Sequence, residues 1–232
     1  MVSLTEIPFD LNTSQLFEHF GIQPGTDIAK ELEDLVEEVS KIGKPKALYK
    51  VSFIEEKGED TIKLDGVTFT SRALRKNLDK IERVFPFIVT GGAEIDDIEI
   101  GQGDSEKGKW LSYIKGTIVM ASIQFLIAHI TKMYRVSKLS FMGPGQGDPP
   151  IWPYEQLREL YSICGDVEEL IGVRLTESLL MIPSASAAAI FFPTEVDFQG
   201  CQLCHNETCS FRLAPFDKRL WESINQRTST YT

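Results

Sequence analysis

Three thiols carry the most recognisable chemical pattern in the chain: Cys201, Cys204 and Cys209 stand in GCQLCHNETCSFR at a Cys-x2-Cys-x4-Cys spacing. Thiolates a few residues apart in a turn can converge on one metal ion, and Gly200 eases the turn. Zinc takes four such ligands, so the expected fourth is His205 from within the turn or Cys164 from across the fold. Three cysteines alone can instead hold an iron-sulfur cluster. The spacing is neither that of a zinc finger nor that of a common ferredoxin, which leaves three ordinary thiols as the alternative.

A second chemical stretch runs from Leu139 to Phe192. Gly143, Pro144, Gly145, Gly147, Pro149, Pro150 and Pro153 crowd together there, so the backbone stays neither helical nor extended for long. Phe141, Met142, Ile151 and Trp152 are too apolar for a flexible linker, which predicts an ordered loop. On such a loop Trp152 is expected at the surface, placed for docking and stacking. Farther on, in LTESLLMIPSASAAAIFF, Glu177 either caps a local turn or faces a ligand cleft. Met142 and Met181 fill the core or touch a ligand, and His129, inside an apolar helix, reads as a core residue. For nucleophilic catalysis there is no Gly-x-Ser-x-Gly and no Cys with a matched His and acid; Gly101 and Gly103 do not open a helix suited to a phosphate.

These residues must be positioned by a chain of 232 residues, enough for one large domain or two small ones with a real core. With 24 basic against 34 acidic residues, the net charge of −10 argues against nucleic acid and against an anionic membrane as partners. Arg72, Arg75, Lys76 and Lys80 alternate with Asp79 and Glu82 and read as a solvated helix face. The opening MVSLTEIPFDLN lacks the segments of a secretory signal and predicts a cytoplasmic protein. The uncharged run from Gly116 to Thr131 is sixteen residues, short of the roughly twenty apolar ones a membrane span needs. It is read as part of a buried helix from Trp110 to about Tyr134.

The remaining periodicities divide the chain into an N-terminal arm (1–25), a main domain (26–198) and a Cys-rich segment with a polar tail (199–232). Thr26 caps a helix carrying Ile28, Leu32, Leu35, Val36, Val39 and Ile42 on one face. Ala47, Tyr49, Val51 and Phe53 form the better-buried face of one strand. Thr61 to Leu64 and Val67 to Phe69 form a hairpin, Ser71 caps a helix, and Val84 to Thr90 is a buried strand. An exposed connection is expected over Asp96 to Lys109, a helix after Pro153, strands over Val173 to Ser178 and Ala185 to Phe192, and a fraying end from Glu222. Strands and helices mix without strict alternation, which predicts an α+β domain with a largely antiparallel sheet.

The block IGVRLTESLLMIPSASAAAIFF, Ile171 to Phe192, resembles the activation domain of cobalamin-dependent methionine synthase. The Gly143 to Pro153 loop is similar to that family's Pro-Gly loop, and PKALYKV from Pro45, the helix after Ser71 and TGGAEI from Thr90 stand in the family's order. The resemblance implies a C-shaped AdoMet-binding domain, with a bent antiparallel sheet and flanking helices, that meets a corrinoid protein. There, oxidised cobalamin accepts one electron and then a methyl group from AdoMet. It places the ligand contacts on Phe141, Met142, Gly143, Pro144, Gly145 and Gln146, with Trp152 and Glu177 beside them. The chain has no Asp-x-His-x-x-Gly motif, so the cobalamin is expected from a partner. Phe141 stands where the family carries a carboxylate-gripping Arg, and Gln146 where it carries a Tyr. The helix offers Gln124 where the family has an acid. The sequence thus leaves AdoMet binding open, beside two other readings: a metal or iron-sulfur module passing electrons to a corrinoid protein, and a non-catalytic docking adaptor. The resemblance also extends to the tail, since short stand-alone members of that family tend to end in a Cys-rich segment.

Overall fold

The computed structural model describes residues 1–101, 104–147, 149–196 and 198–225. Its first half runs β1 (Val2–Leu4), α1 (Thr13–Phe20), α2 (Asp27–Ile42), β2 (Lys46–Tyr49), β3 (Ser52–Lys57), β4 (Thr61–Leu64), β5 (Val67–Thr70), α3 (Arg72–Asn77) and β6 (Arg83–Thr90). The second runs α4 (Ser105–Tyr134), β7 (Leu139–Met142), α5 (Leu157–Ile163), α6 (Val167–Ile171), β8 (Arg174–Leu175), β9 (Met181–Ile182), β10 (Ser186–Pro193) and α7 (Lys218–Asn225).

Local chemistry sets several boundaries. Thr26 Oγ1 accepts from Ala29 N at 3.2 Å, satisfying a free donor at the start of α2. Leu32, Leu35, Val36 and Val39 then share its buried stripe. The turn between β4 and β5 is Asp65-Gly66, both at positive φ (50° and 80°), the pair that a tight antiparallel hairpin favours. Asp104 accepts from Lys107 N at 3.0 Å and starts α4 at Ser105, earlier than its apolar pattern suggests. In the connection before it, Asp96 is hydrogen-bonded and Ile98 is buried, so this stretch is not the wholly exposed one expected; Gln102 and Gly103 lie outside the described residues.

All pairings in the main sheet are antiparallel. β6 is its axis, with β10 and then β7 on one side, and β2 and β3 end to end on the other. β1 extends β2, while β4 and β5 extend β3. The stretch Ala47 to Phe53 is therefore two strands rather than one. The register with β6 runs through unchanged, from Tyr49↔Phe87 to Ser52↔Val84, but Pro86 stands opposite Lys50 and has no N–H to return. The expected faces also need correction at one end: Phe53 is 62% exposed because the core on its side of the sheet ends at Val51.

One face of the sheet contributes Leu48, Ile54, Val84, Ile88 and Ile190 to a core closed by α3, α5, α6 and α7. The other contributes Ala47, Tyr49, Phe85, Phe87 and Phe191 to a core closed by Ile123, Leu126 and Ile130 of α4. A third cluster joins the front half of α4 to α1 and α2 through Trp110, Leu111, Ile114 and Ile118. By length and composition α4 is apolar enough to cross a membrane; in this fold it packs against both of these clusters. His129 is half-buried at the edge of the Tyr49 core, its Nε2 lying 3.1 Å from Tyr49 Oη. At the end, Ile224 is buried and Glu222 to Asn225 are helical, not frayed, while 226–232 lie outside the described residues.

Candidate functional site

The Pro-Gly loop is ordered by its own backbone. Gly145 N donates to Trp152 O (2.9 Å), Gln146 N to Gly143 O (3.2 Å) and Ile151 N to Gln146 O (2.9 Å), closing a double turn; Asp148 lies outside the described residues. Pro144 occupies the tip between two glycines that each have a steric reason. A Cβ on Gly143 would lie 2.6 Å from Ala188 O, so the loop backbone rests directly on β10. Gly145 has φ +81° and would meet the Tyr154 ring at 2.4 Å. Gln146 folds its side chain back, Oε1 accepting from Gly143 N at 3.3 Å.

The T-E-S stretch is a turn rather than the expected strand. Thr176 N donates to Leu180 O, and Thr176 Oγ1 accepts from Leu180 N, both at 2.9 Å, between the short paired strands β8 and β9. Thr176 thus caps the turn. Glu177 points its exposed side chain outward and gives its backbone carbonyl to Arg158 Nη2. Tyr154 Oη donates to Leu179 O at 2.7 Å, so the two stretches are joined physically. Neither Tyr154 nor Arg158 stands out in the sequence, because both act through backbone carbonyls of a distant turn.

No family model matches the chain, and no curated protein matches its sequence. Among solved structures, a crystal structure of the MetH reactivation domain bound to AdoHcy aligns with a TM-score of 0.58 at 16% identity, covering 80% of this chain and 75% of that one. The fold is that of the MetH reactivation domain.

Within this reactivation-domain fold, several expected contacts sit elsewhere. Trp152 is not at the surface: its ring is fully buried, edge-on to Phe69 (5.6 Å), and its Nε1 donates to Gln156 Oε1 at 2.9 Å. That amide four residues on, together with the apolar wall of β5, draws the ring inward. Met142 is also core, its sulfur accepting from Asn77 Nδ2 at 3.2 Å. Phe141 points to the opposite face, edge-on to Phe87 and Phe191 at 6.2 and 5.8 Å. Gln124 is exposed on α4.

The expected metal site is not assembled. Among the described residues, no three His, Cys, Asp or Glu side chains gather to hold a metal ion. Cys164 is buried in the sheet core, where desolvation pushes its thiol up to about 12. Cys209 is exposed, and Cys201 Sγ accepts from Leu213 N at 3.4 Å. What organises the segment is Arg212, which donates to the carbonyls of Cys201, Cys204, Asn206 and Ala214 at 2.7–3.3 Å. A cation on carbonyls does the gathering that the spacing had suggested for a metal.

A polar node missed in the sequence lies where α4 crosses the start of β10. Lys115 Nζ donates to Asp96 Oδ1 at 2.5 Å and to Ser184 Oγ at 3.2 Å. Ser184 donates twice more to Asp96, from N (2.7 Å) and from Oγ (2.6 Å). Burial works to raise the Asp96 pKa, but the bonds from Lys115 and Ser184 outweigh it and hold the carboxyl below its usual range. Three segments far apart in sequence supply the node, so no local motif announces it.

Proposed function

We propose that this chain is a reactivation-domain-like module that binds AdoMet and assists the reductive methylation of a corrinoid protein supplied by a cytoplasmic partner. The observation that carries the reading is the joined pair of turns, Gly143–Trp152 and Thr176–Leu179, held together by Tyr154 beside β10. They lie on a fold that, in the MetH reactivation domain, is found with AdoHcy bound. AdoMet is AdoHcy with one more methyl group on sulfur, so a site shaped for one suits most of the other. Gly143 lets the loop backbone lie against β10 and the Tyr154 ring covers Gly145, so the loop is held in one fixed position. When bound, AdoMet supplies the methyl group; the chain's part is to hold and orient it beside the two joined turns.

Titration calorimetry of the folded chain with AdoMet and with AdoHcy tests this, and saturable heat with both is expected. A second reading, a docking adaptor that has lost its ligand, draws on Phe141, whose ring lies in an aromatic core where a cation would be needed to grip a carboxylate. No heat with either ligand at millimolar concentration, together with recovery of a corrinoid protein in a pull-down, would select the adaptor.

A further inference from the structure

Cys201 and Cys204 stand at the two ends of one turn. The chain winds as a 3-10 turn over Gly200–Leu203, and Cys204 N donates to Cys201 O at 3.2 Å. Side chains three residues apart in such a turn stack on one side, and the Cα atoms at the ends of a four-residue turn lie within about 7 Å of each other. A disulfide spans about 4.4–6.8 Å between Cα atoms, so the turn already supplies the separation a bridge needs. Arg212 ties the same two ends together from outside, Nη1 donating to Cys201 O at 2.9 Å and Nη2 to Cys204 O at 2.7 Å.

The residues between and beside the thiols are the ones that hold the turn. Leu203 is fully buried in the core. Gln202 Oε1 accepts from Gln199 N at 2.9 Å, and Gln202 O accepts from Asp217 N at 2.8 Å. Just past the turn, the His205 ring packs on Phe216 and Trp221, with centroids 4.3 and 4.8 Å away. The two thiols themselves are half-buried and unbridged, within reach of a small reagent, whereas Cys164 is sealed in the core.

We propose that Cys201 and Cys204 are a reversible thiol–disulfide couple that exchanges with a low-molecular-weight disulfide of the glutathione type. One thiolate attacks a sulfur of the small disulfide, forming a mixed S–S bond and releasing one small thiolate. The second cysteine then attacks the protein sulfur of that mixed bond, closing the Cys201–Cys204 bridge and releasing the other small thiolate. The two cysteine protons end on the two released thiols, so the protein loses two electrons and the small disulfide gains them. Excess small thiol runs the same steps backwards. The couple uses none of the residues of the two joined turns and stands independently of the AdoMet reading.

The test equilibrates the full chain without oxygen in mixtures of reduced and oxidised glutathione, quenches it with acid and maps its cysteines by peptide mass spectrometry after alkylation. The expected result is a Cys201–Cys204 bridge that grows with oxidised glutathione and is undone by reduced glutathione. Its equilibrium constant should be about tenfold or more larger in the native chain than in the same chain in concentrated urea, because folding preforms the turn. Cys209→Ser should keep the bridge, and Cys204→Ser should stop at a glutathione adduct on Cys201. Glutathione adducts on the wild-type chain without an internal bridge, or a bridge that uses Cys209, overturn the proposal. Equal constants in buffer and in urea also overturn it, and this comparison needs no variant to fold.

Discussion

At the scale of single residues, the side chains that looked chemical are mostly structural. Trp152 is the clearest case, since it fills a core position and spends its one donor on Gln156. Trp152→Ala should cost about 3–5 kcal/mol, the range for deleting a buried aromatic ring, read as a lower urea midpoint. Apolar residues on a Pro/Gly loop announce order, and the backbone bonds of Gly145, Gln146 and Ile151 agree. They do not say which ring turns inward, because Phe69, the surface that receives Trp152, comes from a hairpin much earlier in the chain. The cysteines teach the reverse: a spacing that suits a metal is equally compatible with a turn wound round Arg212.

Elements were legible where a local signal sets them. Thr26 marks the start of α2, Asp65-Gly66 the turn of the β4–β5 hairpin, and Ser71 the start of α3. What pairing in the sheet decides was not legible, as with the break opposite Pro86 or the exposure of Phe53. The Asp96 node belongs to this level, because it ties the turn after β6, α4 and the start of β10 together. The folded Asp96 pKa lies below its unfolded value of about 3.9, so its bonds contribute stability above that pH and lose it as pH falls through the folded value. Asp96→Asn should therefore be less stable than wild type from pH 5 to 7. The gap should close as both are acidified below about pH 4, measured as urea midpoints across the series.

At the scale of the whole molecule, β6 feeds both sheet cores at once, with Val84 and Ile88 on one face and Phe85, Phe87 and Val89 on the other. The Cys-bearing segment and α7 are knit into this body, since Leu203 and Ile224 join the same core as Trp152. One small feature governs how copies of this body meet one another. The outer side of β5 would offer an N–H and a carbonyl at Thr70, but the Gln156 side chain takes both, accepting from Thr70 N at 2.8 Å and donating to Thr70 O at 3.3 Å. A carboxamide thus imitates the next strand and blunts an edge that could template strand addition. Gln156→Ala would reopen it, and light scattering should then detect stronger concentration-dependent association than in wild type. The amide that orients a tryptophan is, seen from outside, a plug on the open side of a strand.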